Sequence, residues 1–290
     1  MAQTATTGQI ENASKEMIGS ARYTIEHNAP VYGTCQHDRL AKGEDTGVFL
    51  KVGQMSMSDL EDGRDMVDEE DIGLSTVSVT TAEVGAKIIL TDKMMRQQSK
   101  LSFSTVGRQM GDAYKRKRED DGISLFSGLN GGTTLGAAAA AFSAANATAC
   151  VSIAKTQKMG DDLTILQHPN AVMRLAKDLS TIGSGTIRPL PEGYSARLLS
   201  KAWKGYQLWD VPVMESGNIS RDSNDDAIGV IKAKDAIGYL ESKSFSSERE
   251  RDASLRAWEV NFVADYAAFE NDDSLGAPLT FDAANPSTTA

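Results

Sequence analysis

Histidine and cysteine are scarce in this sequence, with three and two among 290 residues. His27, His37 and His168 are therefore the whole supply of ordinary general bases, and no pattern around them nominates a catalytic centre. Cys35 and Cys150 lie far apart and match no metal or redox spacing, which excludes a disulfide scaffold or a zinc module and leaves two free thiols. His27, Cys35 and His37 share one segment but lack a fourth ligand, so no metal is expected there. No glycine is followed by lysine, so there is no phosphate loop, and no G-x-S-x-G elbow occurs. Residues 1–19 lack a basic region followed by an apolar run, so a secretory signal is not expected. Long apolar runs are missing too. The nearest is Gly122–Ala154, uncharged over 33 residues, but Gly128, Gly131, Gly132 and Gly136 interrupt it too often for a membrane span. It reads as a buried crossover. An excess of base is also absent: 30 Lys+Arg stand against 40 Asp+Glu, a formal charge of −10, which argues against a surface that grips nucleic acid throughout.

What is present is charge kept apart. Residues 59–71 hold eight acids (Asp59, Glu61, Asp62, Asp65, Asp68, Glu69, Glu70, Asp71) and one base, Arg64, a local −7. Residues 93–118 hold eight bases and one acid, Asp112, a local +7 that ends in Lys115, Arg116, Lys117 and Arg118. The acidic run fails a calcium-loop frame: with Gly63 at the sixth place, Ser58 and Leu60 occupy the first and third. Asp222, Asn224 and Asp226 start such a frame, but Ala227 and Ala233 replace its glycine and terminal glutamate. Asp161-Asp162 and Asp272-Asp273 sit in turn-like contexts where solvated acids are expected. The basic cluster runs straight into Glu119–Asp121 and has no aromatic platform, which weighs against DNA recognition.

Along the chain, residues 1–43 read as a polar arm with a short helix at Ala13–Ala21. Residues 44–58, with Val48, Leu50 and Val52 on one side, and Leu74–Thr80 read as two strands flanking the acidic tip. Such a ribbon is marginal alone and should rest on another surface. Thr91 caps a short helix through Ser99, and Ser102 or Ser104 a longer one from about Thr105 to Leu125, whose stripe is Val106, Met110, Ala113 and Tyr114. Its end is polar all round, with Lys115/Glu119, Arg116/Asp120 and Lys117/Asp121 as (i, i+4) pairs worth about 0.2–0.5 kcal/mol each. Then come a helix at Ser152–Met159, a strand at Leu163–Gln167 and a helix at Asn170–Ser180 begun by Pro169, with His168 orienting the turn. A helix near Ser195–Lys204, strands at Tyr206–Met214 and Ala227–Lys232, and a long alternating strand through Trp258, Val260, Phe262, Ala264 and Tyr266 follow. DAANPSTTA, at the end, reads as a frayed tail.

This order of parts resembles the tailed-bacteriophage major capsid proteins of the Hong Kong-type fold. TILQHPNAVMRL (164–175) is similar to that family's strand, His-Pro, helix segment. YQLWDVPVMESGNI (206–219) is similar to its strand and turn before a polar loop, and residues 229–270 to its carboxy-terminal stretch with a charged hinge and long strand. The resemblance implies an α+β fold with an N-terminal arm (1–43), an extended loop (44–80), a peripheral domain with a spine helix (81–135 and 240–270) and an axial α/β domain (136–239 and 271–290).

The implied function is to self-assemble as hexamers and pentamers into an icosahedral head around double-stranded DNA, with no enzymatic activity and no cofactor. The implied partners are further copies of the chain, a separate scaffolding protein (some forty-five residues before the loop leave no room for a built-in one), a portal and, as an optional addition, a cement or decoration protein. Packaged DNA would be held without sequence specificity, no membrane would be involved, and assembly in the host cytoplasm would give a virion shell. Some relatives crosslink a loop lysine to an asparagine on a neighbour; Lys51 is the only loop lysine and lies far from the tip, which speaks against that chemistry. The expected subunit contact sets the acidic tip (Asp59–Asp71) on a neighbour's Lys115–Arg118. An encapsulin-type compartment, a soluble α/β enzyme and a DNA-binding module are the alternatives.

Overall fold

The computed structural model describes residues 29–51, 57, 59, 62, 73–97, 103–182, 206–208 and 210–286. The helix expected at Ala13–Ala21, the one near Ser195–Lys204 and most of the acidic run lie outside these residues. The described chain begins with a single turn, α1 (Pro30–Gly33), followed by strand β1 (Gln36–Arg39). These residues belong to the expected arm, yet they are part of the body. Val31 and Cys35 are fully buried, and β1 pairs in parallel with residues 238–241. Apolar anchors in a polar segment are enough to seat it when a sheet edge is open beside it.

Strands β2 (Thr46–Lys51) and β3 (Ser75–Thr80) form a separate antiparallel ribbon, registered from Thr46 opposite Thr80 to Lys51 opposite Ser75. The chain passes directly into β4 (Ala82–Thr91). Helix α2 (Asp92–Gln97) follows, and the Thr91 hydroxyl accepts the Met94 N–H at 3.2 Å, the expected cap. The long helix α3 spans Phe103–Ser124. Beyond it the supposed crossover is only partly buried. It contains β5 (Leu135–Ala141), a sheet edge with Ala137–Ala139 exposed, and α4 (Ala144–Thr156), which starts eight residues earlier than expected because Ser143 caps it by accepting the Asn146 N–H.

β6 (Thr164–Gln167) and α5 (Pro169–Ile182) lie close to their expected positions. The strand expected over Tyr206–Met214 is instead a hairpin of β7 (Tyr206–Leu208) and β8 (Val211–Glu215), reversed at Asp210 with φ 65°. β9 (Asp226–Lys232), the long β10 (Ile237–Asp252), β11 (Ala257–Glu270) and β12 (Gly276–Asp282) complete the fold. Neither β10 nor β12 is anticipated by the sequence pattern.

Two mixed sheets organise these elements. One has the order β1-β10-β11-β4, and the other β5-β12-β9-β6-β8-β7. Leu135, Phe142, Val151, Ile165, Leu175 and Phe281 belong to the core that the six-stranded sheet shares with α4 and α5. A second core unites Val31, Cys35, Phe126, Leu166, Val230, Tyr239 and Tyr266, and so joins the two sheets through α1 and the end of α3. β11 buries Val260, Phe262, Ala264 and Tyr266 as its alternation requires. The tail is not frayed at its start: Ala283 is buried, and Asn170 donates to its carbonyl at 2.9 Å.

Candidate functional site

The ribbon β2–β3 places its two faces in different surroundings. Period-two alternation turns Phe49, Val77 and Val79 inward, where they join Leu40, Leu240 and Phe269 in a small core. Phe49 stacks on Phe269 with ring centroids 4.6 Å apart. Lys51, opposite Ser75 at the end of the ribbon away from Thr46 and Thr80, ion-pairs with Asp272 of the same chain. Burial opposes ionisation of Asp272, but hydrogen bonds from Lys51 and Ser274 outweigh it and hold the carboxyl below its usual range.

The opposite face carries Val48 and Leu50, which are 60% and 70% exposed, and Leu74, which is 62% exposed just before β3. The side that rests on the body is therefore the reverse of the Val48/Leu50 stripe that marks the strand in sequence. Asp59 and Asp62 are exposed; Glu61, Asp65, Asp68, Glu69, Glu70 and Asp71 lie outside the described residues.

Helix α3 divides the basic cluster. Lys115, Arg116 and Lys117 are exposed, with Lys115 3.5 Å from Asp112 and Lys117 paired with Asp121. Arg118 turns inward instead. Its guanidinium lies 3.2 Å from the Tyr32 ring centroid and 5.2 Å from that of Tyr114. The expected Lys115/Glu119 pair is not formed. Glu119 is fully buried, and both its oxygens accept the Val31 N–H at 3.2 Å while Oε1 accepts the Ser216 hydroxyl at 3.1 Å. Burial pushes this carboxyl up, against the pull of those donors. An anion at the N–H groups opening α1 satisfies donors that a helix start otherwise leaves bare. Gly122 makes the same junction possible, because a Cβ there would lie 2.1 Å from the Tyr239 hydroxyl, which donates to the Arg118 carbonyl at 2.9 Å.

The remaining candidates have structural partners. His37 lies against Tyr32 with ring centroids 4.0 Å apart and planes tilted by 36°, and burial lowers its pKa. His168 Nδ1 accepts the Asn170 N–H at 3.1 Å and so orients the start of α5, as expected. Asp273, expected to be solvated, accepts the Gly131 N–H with both oxygens at 3.0 Å. Asp222 Oδ1 accepts the Asn224 and Asp226 N–H groups at 2.8 Å, a use of that carboxylate inside its own loop. Among the described residues no group of three or more His, Cys, Asp and Glu is placed to hold a metal ion, and no helix is long and apolar enough to cross a membrane. The exposed ribbon face is the feature that local reasoning missed; its signal is the pair of large aliphatics on a ribbon whose other face is already occupied.

A family model described as phage capsid protein matches residues 74–277, more than half of the chain. No curated protein matches the sequence. Among solved structures, the capsid of cyanophage P-SCSP1u is similar at 12% identity and TM-score 0.69, covering 98% of this chain and 97% of that one. The capsid of Ralstonia phage GP4 is similar at 14% identity and TM-score 0.67, covering 88% and 89%. The SrpI encapsulin complex of Synechococcus elongatus is similar at 10% identity and TM-score 0.63 over 100% of both chains. At such identities the likeness is one of fold.

Proposed function

Since the chain belongs to the phage capsid protein family and is a structural protein of the phage head, not an enzyme, we propose that its copies are joined by laying the β2–β3 ribbon of one on helix α3 of the next. The observation that carries this reading is the two-faced ribbon. One face is packed on its own subunit, and the other leaves Val48, Leu50 and Leu74 in water beside an acidic tip. Large aliphatics held in water on a projecting element mark a contact surface. The acids at residues 59–71 complement Lys115, Arg116 and Lys117, which α3 presents to solvent. Arg118 holds Tyr32 and positions the helix, so it stands outside the contact.

Each exposed charge pair is worth roughly 0–1 kcal/mol and is screened by salt, so the charges set register while the aliphatics supply adhesion. Heterologous contacts of this kind close into rings, which supports hexamers and pentamers as the units of the shell. On this reading residues 44–80 act as the extended loop, 81–135 with 240–270 as the peripheral domain, and 136–239 with 271–290 as the axial domain. A scaffolding protein, a portal and a decoration protein are the accompanying partners, assembly takes place in the host cytoplasm, and packaged double-stranded DNA is contacted without sequence readout.

The test is to reverse charge with Arg116→Glu and Lys117→Glu together. The subunit keeps its melting temperature, and negative-stain microscopy shows few or no closed shells. Normal particles from the double variant would sink the contact. Nuclease-protected DNA in purified particles supports a head, whereas copurifying protein cargo would favour an encapsulin-type compartment.

A further inference from the structure

Each of the two charged runs contains a single exception. Residues 59–71 carry eight acids and one base, Arg64, while residues 93–118 carry eight bases and one acid, Asp112. Arg64 lies outside the described residues, but Asp112 is placed on α3. There it lines a groove of about 370 Å³ together with Arg108, Gly111 and Lys115. These residues stand at i, i+3, i+4 and i+7 and so share one face of the helix. Gly111 leaves room on that face, since a Cβ there would meet no described atom within 4 Å. The Asp112 side chain is 27% exposed against 63% for Lys115, so the carboxylate is the more sheltered of the two. Lys115 Nζ stands 3.5 Å from one Asp112 oxygen, at the outer limit of a hydrogen bond. So loose a pair leaves the carboxylate able to take a planar, two-pronged donor, the geometry that arginine offers and lysine does not.

We propose that the Asp112 groove receives Arg64 of a neighbouring copy, and that this pair sets the register between the acidic run and α3. The inference rests on the ribbon contact proposed above and gives that contact its alignment. Runs of opposite charge attract one another in many alignments, because exposed charges act over a Debye length of about 8–10 Å. Attraction between the runs as wholes therefore selects no register. The two exceptions do. An alignment that separates them sets Asp112 against the neighbour's acids and Arg64 against bases, two like-charge contacts, whereas bringing them together turns both into attraction.

The flanking charges agree with this alignment. In sequence Arg64 lies between Asp62 and Asp65, and along the groove Asp112 lies between Arg108 and Lys115. An acid–base–acid pattern thus meets a base–acid–base pattern. The groove also adjoins Arg116 and Lys117 through Lys115, so the seat for Arg64 is continuous with the basic surface on which the tip is proposed to lie.

Charge reversal in the full chain separates this pairing from attraction between whole runs, because the two predict opposite signs. Arg64→Asp makes one run entirely acidic and Asp112→Arg makes the other entirely basic, so general attraction would strengthen with either. The pairing instead requires each single variant to lose shells, by about tenfold in sedimented particles, and the double variant to recover most of them. A second measurement needs no reversal. Arg64→Cys chains are mixed with Asp112→Cys chains and treated with a short bismaleimide; Cys35 and Cys150 are buried and do not compete. The expected product is a covalent dimer that neither variant forms alone, and it decides the matter should a reversed variant unfold. Single reversals that assemble as well as the wild type, a double reversal no better than the singles, or a crosslink formed only when both substitutions lie in one chain would each overturn the pairing. The wider ribbon contact is judged separately, by Arg116→Glu with Lys117→Glu. Shells lost in that variant but kept in both single reversals overturn the register and leave the ribbon contact standing.

Discussion

At the junction of α1, α3 and β9 the chain buries Glu119 and Lys232 and gives each a partner from its own residues. On the ribbon it does the opposite, leaving Val48 and Leu50 more than half exposed. A polar group in a dry core is tolerated only when its hydrogen bonds are complete, so the junction is finished within the subunit. An aliphatic stripe in water is tolerated only at some cost, so the ribbon is finished when another surface covers it. The contrast separates the residues that hold one copy together from those proposed to hold copies to each other. Substitutions at the two places should therefore fail differently.

The largest effect is expected on the ribbon, in assembly alone. Val48→Asp with Leu50→Asp places two charges where the proposed contact is apolar, and each aliphatic so lost forfeits about 1.5–3 kcal/mol per contact. Repeated over a shell, that loss should abolish particles. The melting temperature of the unassembled subunit should stay unchanged, because both side chains already face water. Sedimentation and negative-stain microscopy read the first outcome and calorimetry the second. Shells of ordinary size from this variant would erase the contrast.

At the junction the failure should be in folding. Glu119→Ala leaves the Val31 N–H and the Ser216 hydroxyl without their acceptor and opens a cavity, a loss of about 3 kcal/mol in denaturant titrations. A change below about 0.5 kcal/mol, within the range of neutral surface substitutions, would mean that those donors find other acceptors. The pH response sharpens the same point. Burial raises the folded-state pKa of Glu119 above its unfolded value, so the folded state binds the extra proton. The stability contributed by that group is fully present below the unfolded pKa and fades as the pH rises through the folded one. Relative to Glu119→Gln, the wild type should therefore be most favoured near about pH 4 and lose that advantage towards neutrality. An advantage that grows with pH would contradict the sign.

Much of this arrangement is legible in local patterns, and what is not has a common cause. The β11 alternation, the Thr91 cap and the His168-Pro169 helix start are fixed by residues within a few positions of one another. Glu119 looked like a rung of a solvated charge ladder because its partner, Val31, is 88 residues away and covers only the end of α3. β10 escaped because from Lys243 to Asp252 only Phe245 is apolar, so there is no alternation to read; its pairing with β11 holds it. Register shifts near Lys243 accompany the placing of Phe245 between Tyr114 and Phe262, at 4.9 and 5.6 Å. β12 begins Gly-Ala-Pro, which reads as a turn, yet it pairs between β5 and β9. Charge segregation between residues 59–71 and 93–118 is legible in the sequence, while the face of the ribbon that its own subunit covers is not. Alternation says that a strand has two faces, not which one its own body covers.

The smallest expected effect concerns Lys51, where the ribbon meets its own subunit. Its ion pair with Asp272 fastens the Lys51–Ser75 end of the ribbon to the turn before β12, and both partners keep some contact with water. Such a pair is worth at most about 1 kcal/mol. Lys51→Met should therefore leave global stability nearly unchanged while loosening that end of the ribbon. Amide exchange over Thr46–Lys51 and Ser75–Thr80 should quicken by a fewfold, with β9 and β12 unaffected. If ribbon orientation matters for docking, assembly should slow without stopping, and high salt should produce the same slowing in the wild type by screening the pair. Unchanged exchange in the ribbon would show that Phe49 and Val79, packed with Phe269 in the small core, orient it without help from the charge.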